Sequence, residues 1–452
     1  MTAKKNVFLV CALLTATLAV RPSSAPAGDR PATDSGLRIL TLREQAERIN
    51  GWLETRLSSL LPGLMRRTGI DMWIILSREY NEDPLYFTMA PRPALYSSGT
   101  VALIFHDKGE AAGIERLCSA PHGVSGYRNI WKPRLKPQFE TLADYIRQAN
   151  PKAIGIDVSA KWPLADGLSV ALKEKLATVL GPDLARRLVP AENLCVGWLE
   201  TRTADELRSY SEICAVAHAL IAEFFSRKVI VPGKTTQDDA VWWFRQRVAS
   251  LGMESWFQPS IDIQRAKKNP EESGEDSVIR PGDILHCDLG IKYLGLCTDM
   301  QWQAYVLKPG ETDAPPGLRQ ALANANRVAD ILMAEFKSGR NGQEIVTSAM
   351  AKGTAEGLNL LIYTHPLGFQ GHAAGCTPDA RDPKTIDEVN PPKWSYPLYP
   401  NTAYSIEFSC RTPVPEWGDQ DIFIGYEEDA VYTEQEGCRF IDGRQTRFIL
   451  IR

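Results

Sequence analysis

Asp288 and Asp299 lie eleven residues apart, in Ile284-Leu-His-Cys-Asp-Leu-Gly290 and Cys297-Thr-Asp-Met300. A hairpin turning near Tyr293 to Gly295 would bring them roughly opposite each other, on one side of a sheet. Two carboxylates facing each other there repel, and each is costly to bury. A metal ion removes both problems; two unrelated, partly solvated aspartates are the plainer alternative. In Ala403-Tyr-Ser-Ile-Glu-Phe-Ser-Cys410, strand alternation puts Glu407 on a small, polar face with Ala403, Ser405 and Ser409. That face suits a site lining, and equally a solvated surface. Glu428 shares a strand face with Ile424, Tyr426, Ala430 and Tyr432. A carboxylate there needs a partner, either a metal or an Arg or Lys. His365 and His372, two of only six histidines, stand seven apart in His365-Pro-Leu-Gly-Phe-Gln-Gly-His372-Ala-Ala-Gly375. The glycines let backbone approach a ligand closely, and the spacing is not that of the helical HExxH zinc proteases.

The order Asp, Asp eleven on, His, His seven on, then two strand glutamates resembles the pita-bread metallopeptidases, which include methionine aminopeptidase, Xaa-Pro aminopeptidase and prolidase. The resemblance covers roughly residues 200–452, and the preceding α/β part is similar to that of creatinase and the proline-directed members. It implies a pseudo-twofold α/β (α+β) catalytic domain after a smaller creatinase-like one. By this resemblance Asp288 chelates a first metal, Asp299 and Glu428 bridge two, and His365 and Glu407 hold the second. His372 contacts the substrate carbonyl or its tetrahedral intermediate, and Glu407 handles the proton of the attacking water. Four carboxylates and an imidazole suit two divalent ions, Mn²⁺ foremost, with Co²⁺, Fe²⁺ and Zn²⁺ as alternatives. Such a pair acidifies a bridging water and polarises the scissile carbonyl.

The chain departs from the family around the substrate. The segment from Ala266 to Gly274 lacks the family's upstream His; His286, on the face of Asp288, either substitutes for it or is a histidine behind the ligands. Tyr426 stands where proline-directed members carry Arg, two residues before the last Glu, and so becomes a candidate substrate contact. Met300-Gln301-Trp302 replaces a Thr-Arg-Thr-like run, and Phe408 replaces a Pro.

The elements that must position these residues divide the chain. Residues 1–27 read as a secretory signal peptide: Lys4 and Lys5, an apolar run from Val7 to Val20, then small residues to Ala27. The run is short of the ~20 residues a membrane span needs. A secreted or periplasmic location follows, where the eight later cysteines could pair. Residues 28–200 alternate helix and strand: a helix from Leu42 to Leu61 ahead of Pro62, short strands at Met72–Leu76, Val101–Phe105 and 153–156, helices between. Residues 201–452 open on Thr203 and Glu206, a capping box. Two helices flanking Val231-Pro232-Gly233 are echoed by two more flanking Ser338 to Gly342, a suggestive internal repeat. Strands then cover 284–290, 297–306, 403–410 and 423–433. Six prolines between 376 and 400 exclude helix there, leaving a long loop that could act as a lid.

With 44% apolar residues and a net charge of −4, the chain is globular, with no footprint for nucleic acid. The expected function is an exported exopeptidase acting on short peptides, Xaa-Pro aminopeptidase-like and, by resemblance, homodimeric. Two alternatives stand beside it. One is a non-peptidase reaction on the same fold, as in creatinase or a sulfonium lyase. The other is a metal-free peptide-binding module.

Overall fold

The computed structural model describes residues 31–266, 277–381 and 395–452. The signal-peptide stretch 1–27, most of the 266–274 segment and the middle of the proline-rich loop lie outside those residues. The first long helix does not stop at Pro62. It runs Leu42–Thr55, widens to a π turn over Arg56–Leu60, and continues as Leu61–Thr68. Pro62 sits in the first turn after the widening, where its missing N–H is tolerated.

A six-stranded sheet follows, formed by β1 (Met72–Arg78), β2 (Thr100–Asp107), β3 (Ile114–Ser119), β4 (Arg128–Asn129), β5 (Ile154–Ile156) and β6 (Leu188–Pro190) in the order β4-β3-β2-β1-β5-β6. Apolar residues of β1 alternate between two cores: Trp73 and Ile75 pack with the 42–68 helix, while Met72, Ile74 and Leu76 pack with helices Gln138–Ala149 and Val170–Leu180.

The second half is built on a nine-stranded sheet. A separate small sheet is formed by β7 (Glu254–Ser255), β10 (Ile291–Tyr293) and β11 (Leu296–Cys297). The large sheet's main path joins β13 (Asn359–Ile362), β15 (Thr402–Val414), β16 (Gln420–Thr433), β12 (Met300–Val306), β9 (Ile284–Leu289) and β8 (Ser260–Gln264). On it, β14 (His365–Leu367), β17 (Gly437–Phe440) and β18 (Ile449–Ile451) pair with β15, β16 and β12. Two helix pairs cover the sheet, Ala204–Phe224 with Gln237–Ser250, and Pro316–Met333 with Gly342–Ala355. Capping boxes open three of the four helices, at Thr203/Glu206, Thr236/Asp239 and Asn341/Glu344. The expected internal repeat is therefore present as architecture, each pair burying one apolar cluster against the strands.

Strand alternation separates core from site. Leu285, Cys287 and Leu289 pack with the first helix pair, which turns His286 and Asp288 the other way. Tyr404, Ile406, Phe408 and Cys410 pack with the second pair, which turns Ser405 and Glu407 away from it. The eight cysteines among the described residues are all free thiols, so the pairing that an oxidising compartment would permit is not used there. No helix among the described residues is long and apolar enough to cross a membrane.

Candidate active site

The turn at Leu294-Gly295 closes the β10–β11 hairpin, as expected, with positive φ at both residues. The register beyond it differs from a simple opposition of aspartates. Asp288 on β9 pairs with Gln301 on β12, and Asp299 precedes β12. The Asp299 amide donates to Asp429 Oδ1 at 3.0 Å, which fixes its backbone. Across β15 and β16, Glu407 faces Glu427. His365 opens β14 opposite Ser405.

These elements bring Asp299, His365 and Glu427, which are buried, together with the half-buried Asp288 and Glu407. His365 Nε2 lies 3.5 Å from Glu427 Oε1, 3.6 Å from Asp299 Oδ2 and 3.7 Å from Glu407 Oε2. Candidate ligand atoms of Asp288, Asp299 and Glu427 fall within 4.8 Å of one another, as do those of His365, Glu407 and Glu427. Burial, reinforced by Glu427 and Asp288, pushes the Glu407 carboxyl up to about 10. Burial and the nearby Glu427 push Asp288 up to about 8, and Asp299 is raised as well by burial and the same neighbours. His365 Nε2 and Asp288 Oδ1 are buried with no hydrogen-bond partner. Acids packed this closely ionise together only with positive charge among them. The donor set, carboxylate oxygens with one imidazole nitrogen, fits divalent cations of the Mn²⁺ to Zn²⁺ series.

His372 stands at the exposed rim. Its ring meets that of His365 edge-on at 4.7 Å and that of Trp256 at 5.3 Å. Trp256 donates from Nε1 to the Thr298 carbonyl at 2.8 Å, and a Cβ on Gly371 would strike its ring at 2.1 Å. The loop before His372 is held from below. Phe369 lies under the guanidinium groups of Arg202 and Arg56, at 4.5 and 5.0 Å. Both arginines are buried and pair with Glu206, at 3.3 and 2.9 Å.

Two candidate site residues are corrected. Glu428 does share a face with Ile424, Tyr426, Ala430 and Tyr432, but those four belong to the helix-packed core. The face toward the site carries Glu427. Glu428 instead bonds His218 Nε2 at 2.8 Å and Trp302 Nε1 at 2.9 Å, so its partner is neither a metal, an Arg nor a Lys. Tyr426 is 3% exposed and stacks on Phe408 at 4.7 Å, so it offers no substrate contact. Counting from Glu427, the position two before the last Glu is Gly425. His286 is buried behind the acids and bonds Gln301, which matches the reading of a histidine behind the ligands.

Sequence reasoning missed Glu427 and the role of Gln301. The first had a readable signal: the apolar run Ile424, Tyr426, Ala430, Tyr432 marks the core face, so the glutamate of the other parity faces the site. Gln301 had none, because its partners come from three other strands.

Comparison with known proteins agrees with this geometry. The sequence profile of metallopeptidase family M24 matches residues 206–442, more than half of the chain. No curated protein matches the chain. Among solved structures, X-Pro aminopeptidase from Thermotoga maritima superposes with a TM-score of 0.61 at 15% identity, covering 86% of this chain and 99% of that one. Xaa-Pro dipeptidase from Bacillus anthracis gives 0.55 at 16% identity, covering 90% and 99%. Prolidase from Pyrococcus horikoshii gives 0.54 at 14%, covering 89% and 99%. At such identities the likeness is one of fold, the pita-bread fold with its N-terminal α/β part. Together with the profile match over the half of the chain that carries the acids and both histidines, it makes this chain a hydrolase of metallopeptidase family M24.

Proposed function

We propose that the chain is an exported, dinuclear-metal-dependent exopeptidase of the Xaa-Pro aminopeptidase kind, releasing the first residue of short peptides. The observation that carries this reading is the buried, unpartnered His365 Nε2, ringed at 3.5–3.7 Å by oxygens of Glu427, Asp299 and Glu407. Asp288 would hold one cation and His365 with Glu407 the other, Asp299 and Glu427 being shared between them. What bound divalent ions supply is Lewis acidity toward water and toward a carbonyl oxygen. Glu407 takes and returns the proton of the attacking water at its carboxylate. His372, held against Trp256 at the rim, donates to the carbonyl oxygen as negative charge develops there.

Export rests on the charged, apolar, small-residue order of residues 1–27; the mature N-terminus of the exported protein should be Gly28. Residues 28–200 and 201–452 form its two domains, and the protein acts as a homodimer, which sedimentation of the mature chain tests. A second reading, non-peptidase chemistry on the same fold, draws on Gln301 and Gly425 standing where proline-directed members carry other residues. The deciding experiment is a dipeptide and tripeptide panel, with and without proline second, run on Mn²⁺-loaded and chelated protein. Metal-dependent release of the first residue supports the exopeptidase. A panel left uncut by fully loaded protein rejects it in favour of the second reading.

A further inference from the structure

Gln301 is 7% exposed and sits at the centre of the acid cluster, paired to Asp288 on one side and to Glu427 on the other. Its Nε2 lies 2.8 Å from Glu407 Oε1 and 2.9 Å from Glu427 Oε2. Its Oε1 lies 2.8 Å from His286 Nε2, and His286 Nδ1 lies 3.2 Å from Asp262 Oδ2. This arrangement has one consistent proton assignment. With cations bound, Glu407 and Glu427 are ionised and cannot donate, so the amide nitrogen must face them. The amide oxygen must then accept, so His286 carries a proton on Nε2.

The hydrogen bonds divide each carboxylate by oxygen. Glu407 Oε1 and Glu427 Oε2 are taken by Gln301. Glu407 Oε2 and Glu427 Oε1 are the atoms that point toward His365, at 3.7 and 3.5 Å. Ser405 Oγ donates to Glu427 Oε1, the oxygen on the His365 side. A lysine or arginine in place of Gln301 would hold the outer oxygens too, but its charge would compete with a cation. A neutral amide holds them without that competition. The space for the pair exists because residue 425 has no side chain. A Cβ on Gly425 would stand 2.5 Å from Gln301 Oε1 and 2.6 Å from His286 Nε2.

We propose that Gln301, oriented by the Nε2 proton of His286, is a positioning residue that aims one oxygen of each of Glu407 and Glu427 at the metal position. The proposal rests on the reading of the acid cluster as a cation site. The bland alternative is that the amide only separates two buried acids and matters for folding alone.

Calorimetric titration of the metal-free mature protein with Mn²⁺ separates the two, alongside thermal melts of the same metal-free samples. Gln301→Leu and His286→Leu should each weaken Mn²⁺ binding about 10- to 100-fold. His286→Gln, whose amide can still donate toward Gln301 Oε1, should bind nearly as tightly as the parent. Because Gln301→Leu could fail to fold, the two His286 variants carry the test by themselves. Equal affinity for His286→Leu and the parent overturns the proposal. So does His286→Gln binding as weakly as His286→Leu, or an affinity loss in all three variants that tracks lowered metal-free melting. A parent protein that binds no Mn²⁺ is a different result: it removes the cation-site reading and this inference with it.

Discussion

Glu407 and Glu427 face each other across β15 and β16, and each gives one oxygen to the same amide nitrogen of Gln301. Glu428, the next residue, points the other way into a bond with His218. Neighbouring glutamates thus have unrelated work, divided by the pleat of one strand. Glu427→Gln should abolish Mn²⁺ binding at the His365 position and remove activity. Glu428→Gln should keep metal and activity, and lose about 1–3 kcal/mol of stability from the disturbed bonds to His218 and Trp302. Metal content and denaturant midpoints of the two variants check this; the opposite pattern would restore Glu428 as the ligand.

His372 ends a run of close contacts, Gly371 on Trp256 and Trp256 on His372. Gly371→Ala should push the Trp256 ring aside and displace His372. His372→Ala should lower kcat about 100-fold, as loss of a donor to a developing oxyanion does. Gly371→Ala should fall in the same direction by less. Both should retain full metal, so kcat measured against metal content distinguishes a displaced donor from a damaged metal site.

Arg56 lies in the π turn of the first helix and carries charge into the core beneath the His372 loop. Burial pulls its guanidinium down to about 10, against the opposing pull of Glu206, so it stays protonated at neutral pH. Arg56→Met leaves Glu206 with Arg202 alone and should cost about 3 kcal/mol. In a double-mutant cycle, Arg56→Met with Glu206→Gln should lose clearly less than the sum of the single variants. Additive losses in urea unfolding would mean the pair does not interact as drawn.

Glu200 is buried and accepts from Tyr396 Oη at 2.7 Å, which ties the far end of the proline-rich stretch to the last helix of the N-terminal half, Glu192–Glu200. Burial pushes its carboxyl up to about 8, above the ordinary 4.5. The folded chain then keeps a proton that the unfolded chain releases between those values. Stability from this group falls as pH rises from about 4.5 to 8 and is flat above, a loss on the order of a few kcal/mol. Glu200→Gln should match the parent near pH 4 and exceed it near pH 8. Parallel stability curves for the two proteins across that range would count against the assignment.

Chemistry-bearing residues were legible wherever local pattern suffices. Asp288, Asp299, His365, His372 and Glu407 stand together in the fold as their types and order foretold. The capping box at Thr203 and the turn at Leu294-Gly295 were also readable, since each is decided by a few adjacent residues. The length of the first helix was not, because it continues past Pro62 by widening to a π turn. Alternation along β16 gives two faces without saying which one the helices cover. That is decided when Ile424, Tyr426 and Tyr432 pack with the Pro316–Met333 helix, far away in sequence, which hands the site to Glu427. Gln301 joins His286, Glu407 and Glu427 from three other strands, and only the register of the sheet brings four such segments to one point. Residue types and spacing are enough to name the kind of candidate ligand and the elements that carry it. The tertiary structure decided which of two adjacent glutamates is used and what holds it, because strand parity is a local property and burial is not.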